Sequence, residues 1–222
     1  MYKTEPHLHT SEVSLCGKIP AEEIIELYSK AGFSTVFVTD HFTEKTLNSF
    51  EEGLWSDYVD RFMLGYNIAK KAGDSLGINV LFAAEFTFKG IPNDYLVYGI
   101  DEDFLKKHED IHKTSIENLY KLAKENNFLV IQAHPYRDDK CYPTADYVDG
   151  VEVINTNPRH ENYEEKTIEF AEKFNLYKTA GSDSHQYPDI AKCGIITPNE
   201  IKTARDYIAA IKSGNYELYK ED

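Results

Sequence analysis

STVFVTDH, residues 34–41, is an apolar, β-branched run that stops at a carboxylate and an imidazole. Such a continuous run suits a strand covered on both faces, the habit of parallel sheets. The segment before it, PAEEIIELYSKAG (residues 20–32), reads as a helix: Pro20 takes the first turn, Ile24, Leu27, Tyr28 and Ala31 share a face, and Gly32 ends it. Strand-like runs recur at residues 79–86 (NVLFAAEF), 95–101 (YLVYGID), 128–134 (FLVIQAH) and 150–155 (GVEVIN). Helical stripes recur too, Ile116, Leu119, Tyr120 and Ala123 before the run at 128–134, and Ile201, Ala204, Ile208 and Ile211 near the end. The order is β, α, β, α. With right-handed crossovers it gives an open doubly wound sheet or a closed barrel. No GxGxxG or GxxxxGK loop follows a strand, so the nucleotide-cradling open sheets lose support and the barrel gains.

The 222 residues, 41% of them hydrophobic, suffice for one sizeable core, and neither an internal repeat nor a linker-like tract divides them, so one domain spanning residues 1–222 is expected. A formal net charge of -14 repels polyanions at long range and argues against stable nucleic-acid binding. A small phosphorylated molecule remains compatible if cations line its site. No apolar run is long enough to span a membrane and the start lacks the pattern of a signal peptide, which makes the cytoplasm the expected location. Cys16, Cys141 and Cys193 are odd in number and widely spaced, and read as reduced thiols rather than a disulfide framework or a zinc knuckle.

The histidines are unevenly placed. His7 and His9 close the first expected strand, Asp40 and His41 follow the second, Glu85 lies toward the end of the third, His134 ends FLVIQAH, and Asp183 and His185 follow the short run LYKTAG. In a parallel barrel these strand ends gather on one face. Side chains two apart on an extended segment point the same way, so HxH offers two imidazoles to one ion and DxH a carboxylate and an imidazole. One histidine at one strand end reads as an ordinary hydrogen-bonded residue. Five histidines with at least two carboxylates, at five strand ends, read as a metal cluster. His108, His112 and His160 lie among charged residues with no partner at ligand spacing and read as surface residues, although His160 beside Arg159 is placed to touch substrate.

HLHT, VTDH, Glu85, AHP and GSDSH, in that order from residue 7 to 185, resemble the motifs of the polymerase and histidinol phosphatase (PHP) family. The resemblance implies a distorted (β/α)7 barrel of the α/β class with two or three Zn, Mn or Fe ions. It implies that His7, His9, Glu85 and Asp183 hold one ion, that Glu85 bridges to a second also held by His134, and that His41 and His185 serve a third. Two positions depart from the family pattern. Where many members carry an aspartate ligand this chain has Cys16, which is either a thiolate ligand for Zn or Fe(II) or a buried small residue beside a weakened third site. Where some members place a histidine after the fourth strand to complete the second ion's ligand set, YGID offers Asp101.

Paired cations activate water near neutral pH and clamp phosphoryl oxygens. No nucleophilic serine or cysteine motif competes with that chemistry. The expected activity is hydrolysis of a phosphate ester, foremost a phosphomonoester of a small soluble metabolite, with Asp183, Glu85 and His185 in catalytic roles and His185 a candidate proton donor. Arg137, Arg159 and Asn155 follow strands and are candidates to bind the substrate. A phosphodiesterase or exonuclease on short nucleotides, hydrolysis of a C–N bond, and a non-catalytic metal-binding domain are the rival readings. The oligomeric state has no signal in the sequence.

Overall fold

The protein, seen here as a computed structural model that describes residues 1–221, is built on one mixed sheet. Its strands are β1 (Tyr2–Leu8), β2 (Thr35–Val38), β3 (His41–Phe42), β4 (Asn79–Thr87), β5 (Asp94–Tyr98), β6 (Leu129–Ala133), β7 (Gly150–Asn155), β8 (Tyr177–Gly181), β9 (Cys193–Thr197) and β10 (Glu217–Lys220). The α-helices are α1 (Ala21–Lys30), α2 (Glu44–Leu47), α3 (Trp55–Phe62), α4 (Leu64–Leu76), α5 (Glu102–Lys107), α6 (Ile116–Glu125), α7 (Glu164–Phe174) and α8 (Ala204–Ser213). Strand order is β10-β9-β1-β2-β4-β5-β6-β7-β8, with β3 beside β4. Leu8 forms a parallel bridge with Ser184, just past β8, and the His9 amide donates to the Ser184 carbonyl at 3.0 Å. This contact brings β8 back to β1, so β1, β2, β4, β5, β6, β7 and β8 nearly close a seven-stranded barrel, the distorted (β/α)7 form expected from the motifs. Among the described residues no helix is long and apolar enough to cross a membrane.

Alternation along the strands sorts the core. On β2, Val36 and Val38 pack in one cluster with Ile24, Ile25 and Tyr28 of α1, whereas Phe37 points to the other face and joins Tyr98, Leu129 and Tyr207. Tyr207 and Ile211 come from α8, which closes the barrel at the end away from the histidines: the Tyr207 ring lies 4.9 Å from Phe37 and 4.7 Å from Tyr98. Burying each of these rings stabilises the fold by roughly 1.5–3 kcal/mol. The same inward face turns polar toward the opposite end. Glu85 shares its face of β4 with Ala83, Asp94 shares its face of β5 with Leu96 and Tyr98, and Glu5 and His7 alternate together on β1; all four polar side chains are buried.

Three departures from the sequence reading have local causes. The run at 95–101 was expected among parallel strands, but β5 lies antiparallel to both β4 and β6. Only residues 88–93 join β4 to β5, and a parallel crossover needs a dozen or more. The stripe at 201–211 becomes helical only from Ala204, because Thr203 caps the helix: its hydroxyl accepts from the Asp206 amide at 3.2 Å and its amide donates to the Asp206 carboxylate at 2.8 Å. His112, expected at the surface, is 4% exposed and stacks on Trp55 at 5.8 Å, since its neighbour Ile111 draws the turn into the core.

Candidate metal centre

Glu85, at the end of β4, is fully buried, and neither of its carboxylate oxygens has a hydrogen-bond partner. Four imidazoles surround it. The His41 Nδ1 stands 2.8 Å from Oε2 and His9 Nε2 stands 3.3 Å from the same oxygen; His134 Nε2 is 3.2 Å and His7 Nε2 3.6 Å from Oε1. Asp183 approaches from beyond β8, with Oδ1 at 3.4 Å from His7 Nε2, 3.3 Å from His9 Nε2 and 3.3 Å from His185 Nδ1. These distances are those of ion pairs, yet the Glu85 oxygens and Asp183 Oδ1 lack the alignment of hydrogen bonds. Lone pairs point at a common space.

The tautomers implied by the network explain why. His7 Nδ1 donates to Glu152 Oε1 at 2.9 Å, and His9 Nδ1 donates to Ser14 Oγ at 3.2 Å, because that hydroxyl already gives its proton to Asp40 at 2.6 Å. With each Nδ1 donating, the two Nε2 atoms, 3.1 Å apart and facing two carboxylates, are the nitrogens left to take up a proton or a metal ion. Acceptors packed this closely repel unless a cation lies among them, so the residues fit divalent metal. Four triplets of donor atoms converge within 4.8 Å: His9, His41 and His185; His7, His9 and Glu85; His7, His134 and Asp183; and Glu85, Asp94 and His134. Burial opposes a proton on His7, but Glu152, Asp183 and Glu85 hold its pKa well above the imidazole range. Burial would likewise raise Glu85 and Asp183, and the surrounding imidazoles, His41 first for Glu85 and His7 first for Asp183, bring both well below the carboxylate range.

The backbone is arranged for this convergence. His134 (φ 28) and Asp183 (φ 50) leave their strands in the left-handed region, a strained conformation for non-glycine residues that turns both side chains inward. Glu152 is the hub behind the centre: Oε2 accepts from the His134 amide at 3.2 Å and from Asn155 Nδ2 at 2.7 Å while Oε1 orients His7. Gly181 is required beside it, since a Cβ there would lie 2.5 Å from Glu152 Oε1 and 2.6 Å from the His7 Cβ. Asp40, in the TDH motif, does not face the donors. It takes hydrogen bonds from the Thr10 amide and hydroxyl, both at 2.7 Å, and from Ser14, and burial lifts its pKa to about 6 against those bonds.

The structure thus brings together His7, His9, His41, Glu85, His134, Asp183 and His185. Cys16 stands at the mouth of the cavity above them, outside all four triplets, and is exposed, which removes the reading of a small apolar core residue. Gly17 lets its loop fold back, because a Cβ there would meet the Thr10 carbonyl at 2.5 Å, and the Lys18 amide bonds the His185 carbonyl at 2.8 Å. Partial burial raises the Cys16 thiol, but the neighbouring imidazoles of His185 and His41 outweigh it and bring the pKa down to about 6. Asp101, offered for the second ion, is corrected by the direction of β5: it stands at the opposite end and caps α5, accepting from the Phe104 amide at 2.8 Å. Asp94, at the start of that antiparallel strand, reaches the centre instead. His160, read mainly as surface, also belongs here, with a buried, unpartnered Nε2 3.6 Å from Asp183 Oδ2. No local motif announces either residue.

A cavity of about 420 Å³ opens onto the cluster and is lined by Arg137, Arg159, Lys18, Asn157 and Gln186 besides the donors. Two grooves of about 900 Å³ are wider, but neither includes a member of the four triplets. Arg137 is tied to Asp94 at 2.6 Å, and Arg159 grips Asp189 through two bonds of 3.0 and 2.7 Å. Lys18 has no carboxylate within salt-bridge distance among the described residues and is the cation most open to a ligand; the sequence reading passed it over. Asn155 is buried, does not line the cavity, and holds Glu152 and the Asn157 amide in place.

A family profile described as PHP-associated matches residues 161–216. Among solved structures, the fold resembles a two-domain protein from Bacteroides vulgatus containing a predicted PHP-like metal-dependent phosphoesterase, with a TM-score of 0.74, 14% identity, and coverage of 99% of this chain and 65% of that one. It also resembles PsfC from Pseudomonas syringae (TM-score 0.68, 14% identity, 99% of this chain and 91% of that one). A third neighbour is an amidohydrolase from Chromobacterium violaceum, with TM-score 0.59, 14% identity, and 98% of both chains covered. The chain spans less than two thirds of the Bacteroides protein. No curated protein matches it significantly. The neighbours share the fold, and the donor cluster fits divalent metal. The motifs in family order and the PHP-associated segment support the PHP resemblance, and the solved neighbours share the barrel fold.

Proposed function

We propose that this chain hydrolyses a phosphate ester, foremost a phosphomonoester of a small soluble metabolite, with divalent ions held by His7, His9, His41, Glu85, His134, Asp183 and His185. The observation that carries this reading is the buried Glu85 carboxylate, without a hydrogen-bond partner and ringed by imidazoles. When bound, such ions supply hydroxide near neutral pH and neutralise phosphoryl charge. The chain's own residues do the rest. Lys18 and Arg159, on the cavity wall, orient a phosphate above the cluster. His185 gives its Nδ1–H to the Asp183 carbonyl at 2.8 Å, which leaves Nε2 free to bind or to hand a proton onward. The cavity of about 420 Å³ suits a metabolite rather than a polymer.

The test is a phosphate-release screen over a library of phosphorylated metabolites, after metal removal and reconstitution with Mn, Zn or Fe(II), run beside Asp183→Asn. Release that the substitution abolishes supports the reading; release that persists in the variant, or metal binding without any turnover, overturns it. The likeness to a protein named an amidohydrolase favours C–N bond hydrolysis at the same centre as the second reading. An amide panel in the same screen decides between them.

A further inference from the structure

Three residues on the cavity wall, Arg159, His185 and Gln186, are held by one carboxylate that does not line the cavity itself. Asp189 is fully buried. Its Oδ2 accepts from the His185 amide at 2.9 Å, from the Gln186 amide at 2.8 Å and from Arg159 Nη2 at 2.7 Å, while Oδ1 accepts from Arg159 Nη1 at 3.0 Å. We infer that Asp189 is a positioning residue, which presents the Arg159 guanidinium to the substrate's phosphoryl oxygens and fixes the backbone of His185 beside them. One buried charge then sets both anion recognition and a member of the donor cluster. The inference rests on the proposed phosphate-ester hydrolysis and deepens it by assigning a residue that lies outside all four donor triplets.

A local turn needs less than this. Asp189 ends the short 3₁₀ turn Tyr187–Asp189, and its bond to the Gln186 amide closes that turn as a cap does. The bonds to His185 and Arg159 are no part of a cap. Arg159 comes from the loop after β7, so its pairing with Asp189 ties that loop to the one after β8, which carries Asp183 and His185. Asn157 makes a second tie between the same loops, donating Nδ2 to Asp183 Oδ2 at 3.0 Å. Behind the pair, Ser184 Oγ donates to the Asp189 carbonyl at 3.1 Å. The fork of Nη1 and Nη2 on Asp189 spends two of the five guanidinium donors and fixes the plane of the rest. The remaining donors, Nε–H among them, have no partner among the described residues, and the side chain keeps 38% of its surface exposed at the cavity wall. A lysine there would keep the charge and lose the plane.

The full chain, loaded with Zn²⁺, is titrated calorimetrically with inorganic phosphate, and kcat and KM are measured with p-nitrophenyl phosphate. Arg159→Gln should weaken phosphate binding and raise KM by ~10-fold or more while kcat changes less. Asp189→Asn, of nearly the same size, should weaken phosphate by a similar factor and also lower kcat by ~10-fold through His185. In the double variant the second substitution should alter phosphate affinity by less than ~3-fold, because both act on one contact. Arg159→Lys should recover little of the loss. Additive losses, full recovery by lysine, or unchanged phosphate affinity in Asp189→Asn overturns the inference. Should Asp189→Asn fail to fold, the side-chain nitrogen resonances of Arg159 in the unmodified chain decide. Separate Nη1 and Nη2 signals with a shift at Nε on adding phosphate support the clamp; averaged Nη signals, or an Nε unmoved by saturating phosphate, overturn it. These readouts need no turnover. Phosphate held through Arg159 in a chain that hydrolyses no ester would sink the proposed function and leave the clamp standing, whereas ester hydrolysis that is indifferent to Arg159 and Asp189 would sink this inference alone.

Discussion

Adding one methyl group at Gly181 tests whether the centre depends on the packing behind it. A Cβ there would stand 2.5 Å from Glu152 Oε1 and 2.6 Å from the His7 Cβ, where ordinary contact begins at 3.4 Å. Each neighbour must give by about 0.8–0.9 Å. The His7 Cβ is fixed to β1, and Glu152 is pinned by bonds of 2.7 Å to Asn155 and 3.2 Å to the His134 amide, so the 2.9 Å bond that orients His7 is the one to lengthen. Overpacking of this kind costs ~1–3 kcal/mol. Unfolding entropy near 2.1 cal/mol/K per residue makes each kcal/mol worth about 2 °C in a chain of 222 residues, so Gly181→Ala should lower the Tm of the metal-free protein by roughly 2–6 °C. Metal affinity should fall ~10–100-fold, the usual effect of disturbing a residue that orients a ligand. Calorimetric titration with Zn²⁺ and Mn²⁺ measures the second effect and thermal unfolding the first. Gly32→Ala is the control: its left-handed backbone (φ +78), which Gly181 does not share, strains a side chain although the methyl itself meets open space, so it should cost stability and leave metal binding alone. A Gly181→Ala protein with unaltered affinity and melting temperature would refute the packing argument.

Because the donors are buried in the folded chain and scattered in the unfolded one, metal at ~1,000 times its Kd should stabilise by about 4 kcal/mol, or roughly 9 °C per ion, and chelation should remove that gain in a thermal scan. A chelator that leaves the Tm unmoved would count against a bound ion. Glu152→Gln keeps the shape but removes the charge facing His7 Nδ1, so it should weaken metal binding ~10-fold or more with little loss of fold; equal affinity in a competition assay would show that Glu152 is a spectator. Burial holds the His112 imidazole below its ordinary pKa, so the folded chain binds fewer protons there than the unfolded chain once the pH falls under about 6.5. Stability attributable to this residue is therefore intact above that pH and declines as the pH drops toward the lowered folded value. His112→Phe should narrow the loss in urea midpoint between pH 7 and 5; parallel curves for the two proteins would exclude the residue as a source of acid sensitivity.

The alternating β and α patterns, and the metal-type residues that end the strands, were legible because they are local: an apolar run, a stripe at helical spacing, and HxH are each complete within a few residues. That is how His7, His9, His41, Glu85, His134, Asp183 and His185 came to light before any coordinates. Strand direction is not local. Whether Asp94 or Asp101 faces the cluster depends on β5 running antiparallel, which only the short 88–93 connection and the pairing with β4 and β6 decide. His160 and Lys18 carry no motif and enter the site because their loops fold over it. Cys16 was visible but ambiguous, and its exposure beside His41 and His185 follows from the turn at Gly17. Sequence alone determined which chemistry the chain can assemble, since donor types and strand ends are written residue by residue. The tertiary structure decided which donors meet, because closing the barrel from β1 to β8 converts distances along the chain into contacts of a few ångströms across its rim.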